Sequence, residues 1–216
     1  DASGNDNVGS AMYGPTLGVD AVLGRGVAFD GTDDMIRVAK STSLSATTGH
    51  ATFALWVNWT SLTSSHFQRV MSSSNRFNGG TLDDGYEWAA QPGGDFFLYP
   101  WGRVNDYNLG PNPFTAGVWQ YLVGTTDFTG PSVKIYADGQ AMPFSVTYEA
   151  AWTTLADPDD WCWGDNPVYT GAFGGSMDEI RVIDGVKGPE WVQTSFANQK
   201  PGSTMVTVGA QQMLEP

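Results

Sequence analysis

Thr52-Phe53-Ala54-Leu55-Trp56-Val57-Asn58-Trp59 is the stretch that decides the fold. Phe53, Leu55, Val57 and Trp59 recur at a period of two, the spacing that puts side chains on one face of a β-strand. Ala54 and Trp56 occupy the other face, so this strand is expected to be covered on both sides. The same alternation returns at Trp119, Tyr121 and Val123, and again where Val133 and Ile135 alternate with Lys134 and Tyr136. Asp138-Gly139 follows directly, and these residue types suit a two-residue hairpin whose turn positions need φ > 0. Further strands are expected at 26–29, 35–38, 67–72, 86–90, 95–101, 160–163 and 176–183, with turn-forming residues between them. Helical periodicity is nearly absent. The exception starts at Pro189, which fits a first helical turn, with Glu190 near the positive end of the helix dipole and Trp191 to Phe196 completing a short run. A last strand at 205–208 is expected to close an edge. The fold class is therefore all-β: a two-sheet antiparallel β-sandwich with one short C-terminal helix.

Composition supports this and narrows function. At 216 residues the chain suits one large sandwich, expected over 1–209 with a frayed tail at 210–216. Hydrophobic residues make up 41% and charged residues only 15%, which argues against disorder. The 27 glycines and 12 prolines are what many short strands and tight turns use. The net charge of −13 would repel a phosphate backbone or an anionic membrane surface, so neither nucleic acid nor membrane is an expected partner. No apolar run has the length of a membrane span. The chain opens at Asp1 with no leader-like segment and is expected to be a processed or excised piece. The one cysteine, Cys162, lies between Trp161 and Trp163 and reads as a buried apolar thiol. The sequon Asn58-Trp59-Thr60 falls inside a strand and is read as chance.

Several segments, in order, resemble the LamG-like jelly roll of the concanavalin A-like lectin/glucanase group. Asp1-Ala2-Ser3-Gly4-Asn5 is similar to the family's opening, and Phe29-Asp30-Gly31-Thr32-Asp33-Asp34 to its Phe-Asp-Gly segment. Thr52–Val57 resembles the central Trp-Val strand, and Val133–Gly139 the Lys-Leu-Tyr-Val-Asp-Gly hairpin. Gly175-Ser176-Met177-Asp178-Glu179-Ile180-Arg181-Val182 resembles the closing Asp-Glu-Val-Arg segment, and the stretch from Glu190 to Gly209 is similar to bacterial multidomain surface proteins of this group. The resemblance covers essentially the whole chain. It implies a jelly roll that serves lectins, binding modules, adhesion domains, glycoside hydrolases and polysaccharide lyases alike, so the site must decide among them. It also implies a secreted or cell-surface location.

Glycosidases need two carboxyl groups facing one bond. Of the five glutamates, Glu87, Glu149, Glu179, Glu190 and Glu215, none sits two or four residues from another acid on one strand face. Glu87 has aromatic neighbours but no acidic partner in sequence, and His50 and His66 lie in no nucleophile motif. An enzyme is therefore not expected. Asp178 shares the parity of Ile180 and Val182, and a carboxylate on an apolar face is costly unless paired or metal-bound. Asp30 stands at the end of a strand and raises a related question. The resemblance implies a calcium ion held by such terminal segments, and hard oxygen ligands suit that ion; the expectation is one ion shared by Asp30 and Asp178. The alternative is an Asx bond at Asp30 and an arginine or backbone partner for Asp178. Asp83-Asp84 and Asp157-Pro158-Asp159-Asp160 read as solvated loops. Among nine tryptophans, Trp56, Trp119 and Trp163 read as core. Trp101, Tyr107 and Trp152 lie in polar, Gly/Pro-bounded stretches and are the candidates for stacking on sugar. The expected function is a non-catalytic carbohydrate-binding or adhesion module with calcium and a glycan partner. A self-assembling coat, fibre or filament subunit is the alternative.

Overall fold

The computed structural model describes residues 1–44, 50–73, 85–92, 95–101, 107–111, 113–127, 132–146, 160–166 and 171–205. The stretch around Trp56 forms β5 (His50–Trp59), and the architecture is built around it. The strands before it are β1 (Gly9–Met12), β2 (Thr16–Asp20), β3 (Arg25–Asp30) and β4 (Met35–Val38). After it come β6 (Gln68–Ser72), β7 (Gly85–Ala90), β8 (Asp95–Trp101), β9 (Tyr107–Pro111), β10 (Gln120–Asp127) and β11 (Ser132–Ala137). The chain continues through β12 (Gln140–Ala141), β13 (Ser145–Val146), β14 (Trp161–Trp163) and β15 (Gly174–Asp184), then α1 (Pro189–Gln199).

These strands make two antiparallel sheets, a jelly-roll sandwich. One has eight strands in the order β1-β4-β14-β6-β7-β8-β9-β13; the other has seven, β12-β11-β10-β5-β15-β3-β2. The odd residues of β5 (Phe53, Leu55, Val57, Trp59) face the space between the sheets. They meet Tyr86, Trp88, Phe96, Leu98, Trp161 and Trp163 from the other sheet. Phe53 lies 4.6 Å from the Tyr86 ring and Trp59 4.9 Å from Phe173, centroid to centroid. Each such buried side chain contributes about 1.5–3 kcal/mol before ordering costs. Gly124 of β10 is required here, because a Cβ would come within 2.3 Å of Trp88 Cζ2.

The even residues of β5 are covered as the alternation predicts. Ala54 and Trp56 join Tyr121, Val123, Tyr136 and Val192 in a second cluster beneath α1. Trp56 Nε1 donates to Gln199 Oε1 at 2.9 Å, and Tyr121 Oη and Ser195 Oγ lie 2.9 Å apart. Pro189 opens α1, and Lys200, which precedes Pro201, caps it by donating to Phe196 O. Asp138 and Gly139 take φ of 49° and 80°, the positive values expected of that turn. Trp56, Trp163 and Cys162 are buried, whereas Trp119 is half-buried.

Two expectations need correction. Asp160 is not a solvated loop residue: it is buried, bonded to Arg37 Nε at 2.6 Å and to the Lys40 N–H at 2.7 Å. β1 and β2 carried no alternation strong enough to be expected, because both are short edge strands with mostly exposed side chains. The expected strand at 205–208 lies, from 206 on, outside the described residues.

Candidate functional site

The turn between β3 and β4 concentrates negative charge. Asp30-Gly31-Thr32-Asp33-Asp34 reverses the chain at Gly31, whose φ of 83° favours glycine. A Cβ there would also lie 3.3 Å from Gly174 Cα. Asp30 Oδ1 accepts the Thr32 N–H at 2.7 Å, the Asx bond, and Asp34 Oδ2 accepts the Asp30 N–H at 2.8 Å. One carboxylate oxygen each from Asp30, Asp33 and Asp34 lies within 4.8 Å of the others. Asp34 is only 4% exposed, while Asp30 and Asp33 reach solvent. Converging hard oxygens of this kind suit calcium rather than a thiolate- or imidazole-seeking metal.

A fourth acid stands at the same end of the sandwich. Gly164 packs against the Asp34 carbonyl, and Asp165 follows it. Burial pushes the Asp165 carboxyl up to about 6, with the charge of Asp33 adding to the effect; the Asn166 N–H and Arg69 pull against it. The acid spacing in 30–34 was legible as a motif, but Asp33, Asp34 and Asp165 were not singled out as ligands. Asp165 joins them only through the fold, since β14 runs beside β4.

Asp30 and Asp178 are not brought together. Gly174 is the residue of β15 opposite Asp30, and Asp178 lies four positions further along, about 13 Å away at strand spacing. A single ion shared by the two is therefore corrected to two separate environments. Asp178, 6% exposed, has its own partners: Oδ2 accepts the Leu23 N–H at 2.7 Å and Oδ1 the Glu179 N–H at 2.8 Å. The parity reading fails for a definable reason. A β-bulge lies between Asp178 and Arg181, with Glu179 at φ 49°. The extra residue resets the alternation. Asp178 thus sits opposite Trp56 on the helix-covered face, while Ile180 and Val182 pack on the core between the sheets.

On the outer face of the eight-stranded sheet, Arg69 Nε donates to Glu87 Oε1 at 3.0 Å. The two side chains are only 6% and 2% exposed. Beside them Asn166 Nδ2 donates to Ser72 Oγ at 2.9 Å, and Ser72 stands opposite Glu87 in the ladder. Glu179 pairs with Arg181, and Glu190 is exposed at the start of α1. No two glutamates therefore face one another among the described residues.

The three sugar-stacking candidates fall partly or wholly outside what is described. Trp101 closes β8 opposite Gly85, and Tyr107 opens β9 opposite Leu98 and Val146; their side chains lie outside the described residues, as does all of Trp152. Their backbone positions are informative all the same. The ends of β4, β6, β8 and β13 and the starts of β7, β9 and β14 share one end of the sheet. The acid turn, which leads into the start of β4, is at the opposite end.

A two-sheet jelly roll with an acid-rich turn and no exposed glutamate pair among the described residues defines a lectin-type sandwich. The chain belongs to the laminin G branch of the concanavalin A-like lectin/glucanases superfamily, whose family model matches residues 30–193. No curated protein matches it. Among solved structures it is similar to domain 4 of AbnA, a GH43 extracellular arabinanase from Geobacillus stearothermophilus, in complex with arabinotriose. The identity is 19%, the TM-score 0.62, and 90% of each chain is covered. The binding domain of Paraclostridial Mosquitocidal Protein 1 matches at 12% identity and TM-score 0.66, over 92% of this chain and 49% of that one. The binding domain of botulinum neurotoxin DC, in complex with rat synaptotagmin II, matches at 8% and 0.65, over 91% and 48%. The chain thus spans about half the length of these two binding domains. At such identities the likeness shows the fold alone. No helix among the described residues is long and apolar enough to cross a membrane.

Proposed function

We propose that this chain is a non-catalytic glycan-binding module of a secreted or surface protein, with a calcium ion held at the Asp30, Asp33 and Asp34 turn. The observation that carries the reading is the state of Glu87. It is the one glutamate on the outer sheet face among the described residues, and it is sealed against Arg69. A carboxylate so held is not available to protonate a leaving group or attack a sugar. Family membership and the AbnA domain solved with arabinotriose, which matches this chain over nine-tenths of both lengths, support a glycan partner. AbnA is named as extracellular, which supports the location.

Calcium would take one oxygen from each of the three acids and complete its shell with backbone carbonyls and water. Its place at the end of the sandwich away from Trp101 and Tyr107 makes its role structural: it would fix the β3–β4 turn rather than bridge ion and sugar. Trp101, Tyr107 and Trp152 remain the residues proposed to stack on the glycan. Equilibrium binding to arabinotriose and a panel of plant and bacterial oligosaccharides tests the proposal, with native mass measured in parallel. Saturable binding by a monomer supports it. Assembly into large particles with no glycan bound would favour the structural-subunit reading.

A further inference from the structure

β5 pairs with β15 from Gly175 to Asp184, but on the other side β3 pairs only with Gly174–Met177. The turn from β2 to β3 ends that ladder, where Leu23 N–H bonds Asp178 Oδ2. From Glu179 to Ile183 no described strand lies against the second edge of β15. A strand carries main-chain donors and acceptors along both edges, and an enclosed edge needs a partner for them. This edge is enclosed. It forms one wall of a groove of about 420 Å³ where the two sheets part. Ile36, Val38, Leu44 and Trp163 from one sheet, with Ile180 and Val182 from the other, give the groove an apolar floor.

The far wall is the N-terminal segment, which lines the groove through Asp1, Ala2, Ser3, Asn5 and Asn7. That segment is not a strand. It curls on itself, the Asp1 carboxylate accepting from the Ser3 N–H, the Ser3 hydroxyl and the Asn7 N–H. The Asn7 amide then ties it to Ser43.

We infer that this groove docks an extended peptide segment of a partner protein, added as a strand beside Glu179–Ile183 in continuation of β3. The two walls select the occupant together. A purely apolar ligand would fill the floor and leave the main-chain edge unpaired, at about 1–3 kcal/mol for each group. A free sugar would meet an apolar floor it cannot hydrogen-bond. A strand with alternating apolar side chains satisfies both: its main chain continues the ladder that β3 leaves off, and every second side chain enters the groove. Five residues at about 3.3 Å each give a strand of about 16 Å, an ordinary length.

Amide hydrogen exchange on the full chain tests this. The probe is a synthetic ten-residue peptide of alternating valine and threonine with a lysine at each end. A second peptide with proline at every threonine position, unable to form a strand, is the control. In the free protein the amides of 179–183 that do not face β5 exchange faster than those that do. The probe slows them about tenfold at a tenfold excess over its Kd, and the proline peptide does not. Ala2→Trp, placed on the exposed N-terminal wall, fills the groove without touching the core and abolishes the protection. The inference is overturned if those amides are already as slow as the β5-facing ones in the free protein. Failure of the probe to protect them, or equal protection in A2W, overturns it as well. Glycan binding plays no part in these readouts, so failure here leaves the glycan reading intact.

Discussion

Breaking the Arg69–Glu87 pair from one side leaves a charge in a site where both side chains are nearly inaccessible, 6% and 2% exposed. Solvent cannot screen a pair this buried. Removing one partner of such a pair costs about 3–5 kcal/mol, because the survivor keeps its desolvation penalty and loses its counter-charge. For a chain of 216 residues, each kcal/mol moves the melting temperature by about 2–4 °C. Arg69→Met should therefore lower Tm by about 6–20 °C. Glu87→Leu should cost a similar amount, since it leaves the guanidinium between Glu87's place and Gly171, where a Cβ would come within 2.2 Å of Nη1. The double variant R69M/E87L has no buried charge left and should regain most of the loss. Calorimetric melting of the four proteins gives the coupling directly. If either single variant melts within about 1 °C of the parent, the pair is not the sealed lock described here. A double variant no more stable than the worse single one would refute the charge argument itself.

Calcium at a hundredfold excess over its Kd should raise stability by about 2.7 kcal/mol, read as a Tm difference between calcium and chelator. Asp34→Asn should erase that difference and Asp178→Ala should leave it, although the latter lowers Tm by stranding the Leu23 and Glu179 N–H groups. The Asp165 carboxyl, raised to about 6 from 3.8, is favoured protonated in the folded state. Its contribution is complete below about pH 4 and is lost as pH rises through about 6. Urea unfolding at pH 4.5 and 7 should show this loss in the parent and a flatter profile in Asp165→Asn. Gly124→Ala should cost about 1–3 kcal/mol by forcing a methyl against Trp88, checked by the denaturant midpoint.

Much of the fold was legible because burial writes itself into alternation. The β5 odd face, the doubly covered Trp56, the Asp138-Gly139 turn and the Pro189 helix start all follow from local pattern and appear where expected. The ranges 35–38 and 95–101 match residue for residue. What local pattern cannot carry is a backbone irregularity on an ordinary residue. Glu179 in a left-handed conformation announces nothing in sequence, yet it reverses which face Asp178 occupies. The site was legible only in part for a related reason. Asp30 was found through its turn, but its companion Asp165 comes from 135 residues away, brought in by the β4–β14 pairing. Arg69 and Glu87 likewise meet only because β6 and β7 are neighbours.

The central claim is that this sandwich holds a glycan without altering it. Titration calorimetry of the calcium-loaded protein with arabinotriose and the wider oligosaccharide panel, followed by assay of the same samples for new reducing or unsaturated ends, tests it most directly. The expected result is saturable binding of at least one glycan, weakened at least tenfold by Trp101→Ala with Tm nearly unchanged, and no bond cleavage. Turnover of any glycan that is lost in Glu87→Gln would contradict the claim, and so would the absence of binding across the panel.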